Sequence, residues 1–287
     1  KLPNFHRAAL KELDCMRFAI CNETFQNWPF IDQCRRASEL GYQALEIAPF
    51  TLAASAEQVS AAQRATLRET AQTYGLEIIG LHWLLAGTDG LYLTNPDPLV
   101  TTRTEDYFHT LIDLCHDLGG HVMVLGSPKQ RNLLPGVSHD QASESAAALL
   151  RRLTPHLNDS GVTLAVEPLG PEEGDFLNTA QSAVELIQRV DSPNVRLHLD
   201  VKAMSTDVEP YAQLIRRYSQ WLQHFHANDP NRQGPGMGDV DFEPILRALR
   251  EVDYQGWISV EVFDYSPGPE VLASRSIQYL REKLAQL

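Results

Sequence analysis

Four ionisable side chains each stand where a short apolar run ends. Glu167 follows VTLAV (162–166), Asp200 follows VRLHL (195–199), His226 closes LQHFH (222–226) and Glu261 follows WISV (257–260). Three carboxylates and one imidazole form a donor set for a divalent ion of the Mg, Mn, Co or Zn type, and they lack the thiolates of a closed structural zinc site. Taken singly, each is an ordinary strand-end charge paired with a neighbour. Side by side, three buried carboxylates require a cation. The steps between the four are 33, 26 and 35 residues, close to one strand plus one return helix, given roughly 30 residues for a βαβ unit. On parallel neighbouring strands they would rise from the same end of one sheet, where ligands bind in α/β folds.

Further candidates surround these four. His226 opens into a Gly/Pro-rich loop carrying Asp229, Arg232 and Asp239, and Glu173 lies six residues beyond Glu167 in EPLGPEEGDFLN. Arg232 reads either as a solvated loop arginine or as a cation holding a substrate oxygen at the mouth of an acidic site. The EEGD run reads as a solvated acidic loop, and Asn178 as the N-cap of the next helix. His82 and Trp83 end the third apolar run, and His82 is taken as functional; Glu46 ends the second. His198 and His224 sit two residues before Asp200 and His226, hence on the same strand face one layer deeper, as core histidines or as partners of the ligands. Lys202 and Lys129 fall on loops at the same end, where surface lysines are common.

Such a site needs a regular scaffold, and the chain provides one. Apolar runs at Met16–Cys21, Ala44–Ile47, Leu76–His82 and His121–Leu125 precede the four already named. Between them lie amphipathic stretches at about 30–40, 56–74, 99–118, 139–157, 179–190, 208–221, 242–252 and 271–287, several closed by Gly as helices are. Eight strands alternate with eight helices, and the strands are continuously apolar, as where both faces are covered. This predicts a single (β/α)8 TIM barrel over residues 1–287. An open doubly wound sheet would carry a Gly-rich turn after the first strand, and CNETFQNWPF has no glycine. The segment TDGLYLTNPDP (88–98) has the turn residues and aromatic content of an ordered loop and is expected to act as a lid.

The totals narrow the function classes. With 24 basic against 37 acidic residues, the formal charge of −13 repels phosphate backbones and anionic membranes, which argues against nucleic acid and membrane partners. The four cysteines, Cys15, Cys21, Cys34 and Cys115, show no CxxC spacing and read as core residues of a reducing compartment. No apolar run reaches the ~18 residues of a membrane span, and the polar start lacks a signal-peptide core. The expectation is a cytoplasmic protein without disulfides.

EPLGPEEGDFLNTA, LHLD, HFHANDPNRQGPGMGDVDF and GWISVEVF make the C-terminal half resemble the xylose isomerase-like TIM-barrel sugar epimerases and isomerases, the ketose 3-epimerases in particular. The resemblance implies one divalent ion per chain, Mn or Mg in most members, held by Glu167, Asp200, His226 and Glu261. It implies substrate contacts from Glu173 and Arg232, and proton exchange by Glu167 and Glu261 on opposite faces of a sugar carbon. Its substrate would be a small sugar or polyol ketone; dimers and tetramers are common in the family, which leaves room for a homo-oligomer. The pattern departs at one position: the family histidine three residues after the metal aspartate is Ala203 here, so that contact is lost or is made by Lys202. That opens the site to a modified, oxidised or phosphorylated sugar or an inosose.

Three other functions compete. A dehydratase or lyase would share the enediolate. An endonuclease IV-like hydrolase needs extra histidines where Ala203 and Asp241 stand. A silent sugar-binding barrel would have no reason to keep both glutamates.

Overall fold

The computed structural model describes residues 16–287. Cys15 and the polar leading segment lie outside the described residues. Eight parallel strands close on themselves in chain order: β1 (Arg17–Cys21), β2 (Ala44–Ile47), β3 (Glu77–Leu81), β4 (Val122–Leu125), β5 (Thr163–Val166), β6 (Val195–Asp200), β7 (Leu222–Ala227) and β8 (Trp257–Val260). The ring is sealed where β1 pairs with β8, Ala19 opposite Ser259. Eight return helices surround it: α1 (Phe30–Leu40), α2 (Ala61–Thr73), α3 (Pro98–Leu118), α4 (His139–Ser160), α5 (Ala180–Val190), α6 (Tyr211–Tyr218), α7 (Glu243–Glu251) and α8 (Pro269–Leu284). The expected (β/α)8 barrel is the observed fold.

Local chemistry explains where elements start and stop. The α1 helix ends at Gly41, whose φ of 86° is the left-handed C-terminal conformation that glycine adopts without a Cβ penalty. The α2 helix begins later than its apolar pattern suggests, because Ser60 and Gln63 form a capping box that satisfies the free N–H groups there. A second correction concerns α5. Thr179, not Asn178, is the N-cap, again through a capping box with Ser182. Asn178 instead donates its amide to the carbonyls of Leu169 and Gly174 and ties the loop after β5 together.

Most of the core lies between strands and helices, in one continuous apolar cluster. The barrel interior differs with height. Its lower layer is apolar, with Ala19, Ala44, Ile79 and Trp257 in contact. Two residues further along the strands, Cys21, Glu46, His198, His224 and Ser259 are all buried, so ionisable chemistry begins halfway up the ring. Cys21, Cys34 and Cys115 are free and buried. Among the described residues no helix is long and apolar enough to cross a membrane.

Candidate active site

At the C-terminal ends of the strands a cavity opens, lined by His82, Trp83, Gly126, Glu167, Glu173, His226, Glu261 and Phe263 among others. The ring positions its functional groups by strand register. Asp200 stands directly opposite His226 across the β6–β7 pair. Glu167 and Glu261 are the first residues beyond β5 and β8. All four are buried.

His226 joins two parts of the site. Its Nδ1 lies 3.0 Å from Glu261 Oε2, and its Nε2 lies 3.1 Å from both oxygens of Glu46. Glu46 also receives His224 Nε2 at 2.8 Å. Burial alone would raise the Glu46 pKa, but His224 and His226 hold it well below the usual carboxylate range. Burial likewise opposes a charged His226, yet Glu46 and Glu261 hold its pKa well above the ordinary value. A carboxylate on one ring nitrogen fixes the tautomer and orientation of an imidazole, and here Glu46 takes Nε2 while Nδ1 lies on the side of Glu261.

Two of the cavity's three glutamates, Glu167 and Glu261, differ. Glu167 is pushed well above its ordinary pKa by burial and by the charges of Asp200 and Glu261. Burial also acts on Glu261, but His226 and His82 bring it below the ordinary value. Asp200 is pushed up to about 6 by burial and Glu261; its oxygens accept from the Ala203 N–H and the Asn228 amide. Ligand atoms of Glu167, Asp200 and His226, with one of His198, lie within 4.8 Å of one another. Glu261 is not in that group and meets it at His226 Nδ1; two buried carboxylates beside imidazole nitrogens fit a divalent cation.

Several supporting residues carry no sequence signal of their own. A Cβ at Gly126 would sit 1.8 Å from Glu167 Oε2, so glycine at the end of β4 makes the room Glu167 occupies. Arg131 is buried in the same loop and donates from Nη1 to the carbonyls of Glu167 at 2.7 Å and Leu125 at 3.3 Å. Burial pushes its pKa down to about 10, against the pull of Glu167 and Glu173. Glu23, in the turn after β1, lies 2.9 Å from His82 Nε2 and is also buried.

The remaining candidates divide between the cavity and its rim. His82 reaches the cavity, with its ring pinned by Glu23. Trp83 lines the cavity too, with a left-handed φ of 54° and its ring edge-on to Phe263 at 6.1 Å; such backbone strain clusters at ligand sites. Lys202 is not a solvated surface lysine: Nζ lies 2.6 Å from Glu173 Oε2 and 4.7 Å from the centre of the Phe263 ring. Arg232 is exposed at the rim, where its carbonyl accepts the N–H groups of Phe263 and Asp264. Asp229 is buried and holds its own loop through the Val240 N–H, whereas Asp239 is exposed. The expected lid is bound sideways: Tyr92 and Thr94 donate to carbonyls at 131–132, and none of residues 88–97 lines the cavity.

A family model described as xylose isomerase-like TIM barrel matches residues 34–283. Among curated proteins, a D-psicose 3-epimerase of Enterocloster bolteae is 28% identical over 230 residues, 79% of this chain and 75% of that protein. A fructoselysine 3-epimerase of Shigella flexneri is 25% identical over 271 residues, 91% of this chain and 95% of that protein. A crystal structure of D-psicose 3-epimerase with D-tagatose, from Clostridium cellulolyticum H10, superposes with a TM-score of 0.82 at 21% identity, covering 94% of this chain and 99% of that one.

Proposed function

Because the chain belongs to the xylose isomerase-like TIM barrel family, we propose that it is a metal-dependent sugar epimerase or isomerase working through an enediolate of a ketose or related keto-sugar. One observation carries the reading. Glu167 and Glu261 line the same cavity from strands three steps apart around the ring, so a bound sugar carbon can have a carboxylate on each side. Two carboxylates on opposite sides of one carbon can exchange its proton between faces. The relatives named as 3-epimerases support the same class.

Glu167, Asp200, His226 and Glu261 would hold the divalent ion, Mn or Mg on the family pattern, with Co or Zn also suited to the donors. Bound there, it would supply Lewis-acid stabilisation of the negative charge that develops on the sugar oxygens. The other parts of the reaction belong to the chain. Glu261 removes the proton from the carbon next to the carbonyl. Glu167, which lines the same cavity, returns one to the other face. Delivery to the same carbon epimerises; delivery to the neighbouring carbon isomerises. Trp83 and Phe263 give the sugar an apolar wall and exclude water. Glu173, fixed by Lys202, offers a hydroxyl acceptor at the mouth, and Arg232 guards the rim.

The test is solvent-deuterium incorporation into a panel of ketoses, keto-sugars and inososes. The native protein should exchange the carbon-bound hydrogen next to the carbonyl without net loss of water, which separates it from a dehydratase. Glu167→Gln and Glu261→Gln should abolish exchange while the fold survives. Unchanged turnover in both variants would sink the mechanism.

A further inference from the structure

The barrel interior holds one side chain that the cation reading has not used. Among the described residues, His198 is fully buried with both ring nitrogens lacking a hydrogen-bond partner. Its neighbours are better served: His224 pairs with Glu46, and His226 with Glu46 and Glu261. A buried polar group left unsatisfied costs about 1–3 kcal/mol, which an apolar side chain of the same size would avoid. An imidazole retained in such a place points to a ligand that the polypeptide does not itself supply.

Its position says what that ligand is. His198 lies two residues before Asp200 on β6, so both side chains project into the barrel, one above the other. A nitrogen of its ring lies within 4.8 Å of ligand atoms of Glu167, Asp200 and His226, and its ring meets that of His226 at 4.2 Å between centroids, steeply inclined at 72°. Two donors bound at about 2.1 Å to one ion stand at most about 4.2 Å apart, so small movements suffice to bring the set onto one ion.

We propose that His198 is an additional inner donor of the cation centre, reaching the ion from beneath the carboxylates. The inference rests on the cation-dependent reading above and deepens it. A second imidazole moves the site's preference away from Mg²⁺ and toward Co²⁺ and Zn²⁺, which favour nitrogen donors.

The experiment uses the full chain, stripped with chelator and titrated separately with Co²⁺ and Mg²⁺. Affinity, the visible spectrum of bound Co²⁺ and the ion-induced shift in melting temperature are read in the native protein, His198→Leu, His198→Gln and Glu167→Gln. The native protein should take up one Co²⁺ more tightly than Mg²⁺. His198→Leu should lose about 10- to 100-fold in Co²⁺ affinity and alter the Co²⁺ spectrum, with Mg²⁺ affinity changed less than about threefold. Its stripped form should melt no lower than the native one, because the nitrogens it loses have no partner. If the leucine variant fails to fold, His198→Gln carries the test, with the same altered spectrum expected. Unchanged Co²⁺ affinity and spectrum, or equal losses for both ions, would overturn the inference. Uptake that depends on Glu167 but not on His198 would leave the cation reading standing while this inference falls. A native protein that takes up no divalent ion would overturn both.

Discussion

Replacing Gly126 by alanine tests the geometry of the site with a single methyl group. The added carbon would lie 1.8 Å from Glu167 Oε2, whereas ordinary contact begins at 3.4 Å, so the carboxylate must retreat by about 1.6 Å. The atom it strikes is the far end of a flexible side chain facing a cavity, and the protein can absorb the change without moving backbone. Gly126 is not among the positive-φ glycines, and alanine should if anything stabilise the fold by up to about 1 kcal/mol through the unfolded chain. The cost falls on the chemistry. Misplacing a reacting group by about 1 Å costs on the order of 100-fold, or about 3 kcal/mol of barrel-site transition-state stabilisation. Gly126→Ala should therefore lower the rate of deuterium exchange at saturating ketose by at least about 100-fold, with a melting temperature within a few degrees of native by circular dichroism. A variant that exchanges within about threefold of the native rate would refute the view that Gly126 makes room for a working Glu167.

Three further outcomes follow from the surroundings of the site. Glu46→Gln keeps the size of the side chain but removes the charge that orients His226, and divalent-ion affinity should fall about 10- to 100-fold by titration; native affinity would remove Glu46 from the site. Lys202→Met keeps an apolar stem over Phe263 and releases Glu173, so KM should rise about fivefold, equivalent to about 1 kcal/mol for a partly exposed ion pair, with little change in kcat; an unaltered KM would assign the pair to surface stability. Glu167 and Asp200 have folded-state pKa values above the ordinary ones, Asp200 at about 6. Such groups favour the fold at low pH, and the contribution is lost as pH rises through the folded values. The raised His226 pKa acts in the same direction. In chelator the melting temperature should fall between about pH 6.5 and pH 8, since below that range the lowered pKa values of His198 and His224 act in the opposite direction, and saturating divalent ion should flatten the slope. A flat profile in chelator would contradict the crowding of the carboxylates.

The barrel and its four principal groups could be read in the chain for one reason. In a parallel barrel each strand is a continuous apolar run, and the residue at its end faces the ligand, so Glu167, Asp200, His226 and Glu261 were marked by local pattern alone. What the pattern could not carry is contact across the ring. Glu46 from β2 meets His224 and His226 from β7, 178 and 180 residues away, and no spacing rule connects them. Glu23 was hidden in a polar turn, and Gly126 and Arg131 in the loop after β4. Lys202 looked like surface because its partners, Glu173 and Phe263, arrive from other loops. Asn178 was mistaken for a cap because Thr179 competes for the same role and has Ser182 at the right distance to win it.

The proposed ligands all come from β5 to β8, yet the carboxylate that fixes the His226 ring comes from β2, and Glu23 and His82 come from the first three units. The site is therefore finished only when the two ends of the sheet meet along β1 and β8. A C-terminal half-chain would possess the proposed donors but lack Glu46, the strut that aims His226. During refolding, tight ion uptake should thus lag behind the appearance of helices and coincide with the sealing of that seam, making the bound ion a reporter of the moment the circle closes.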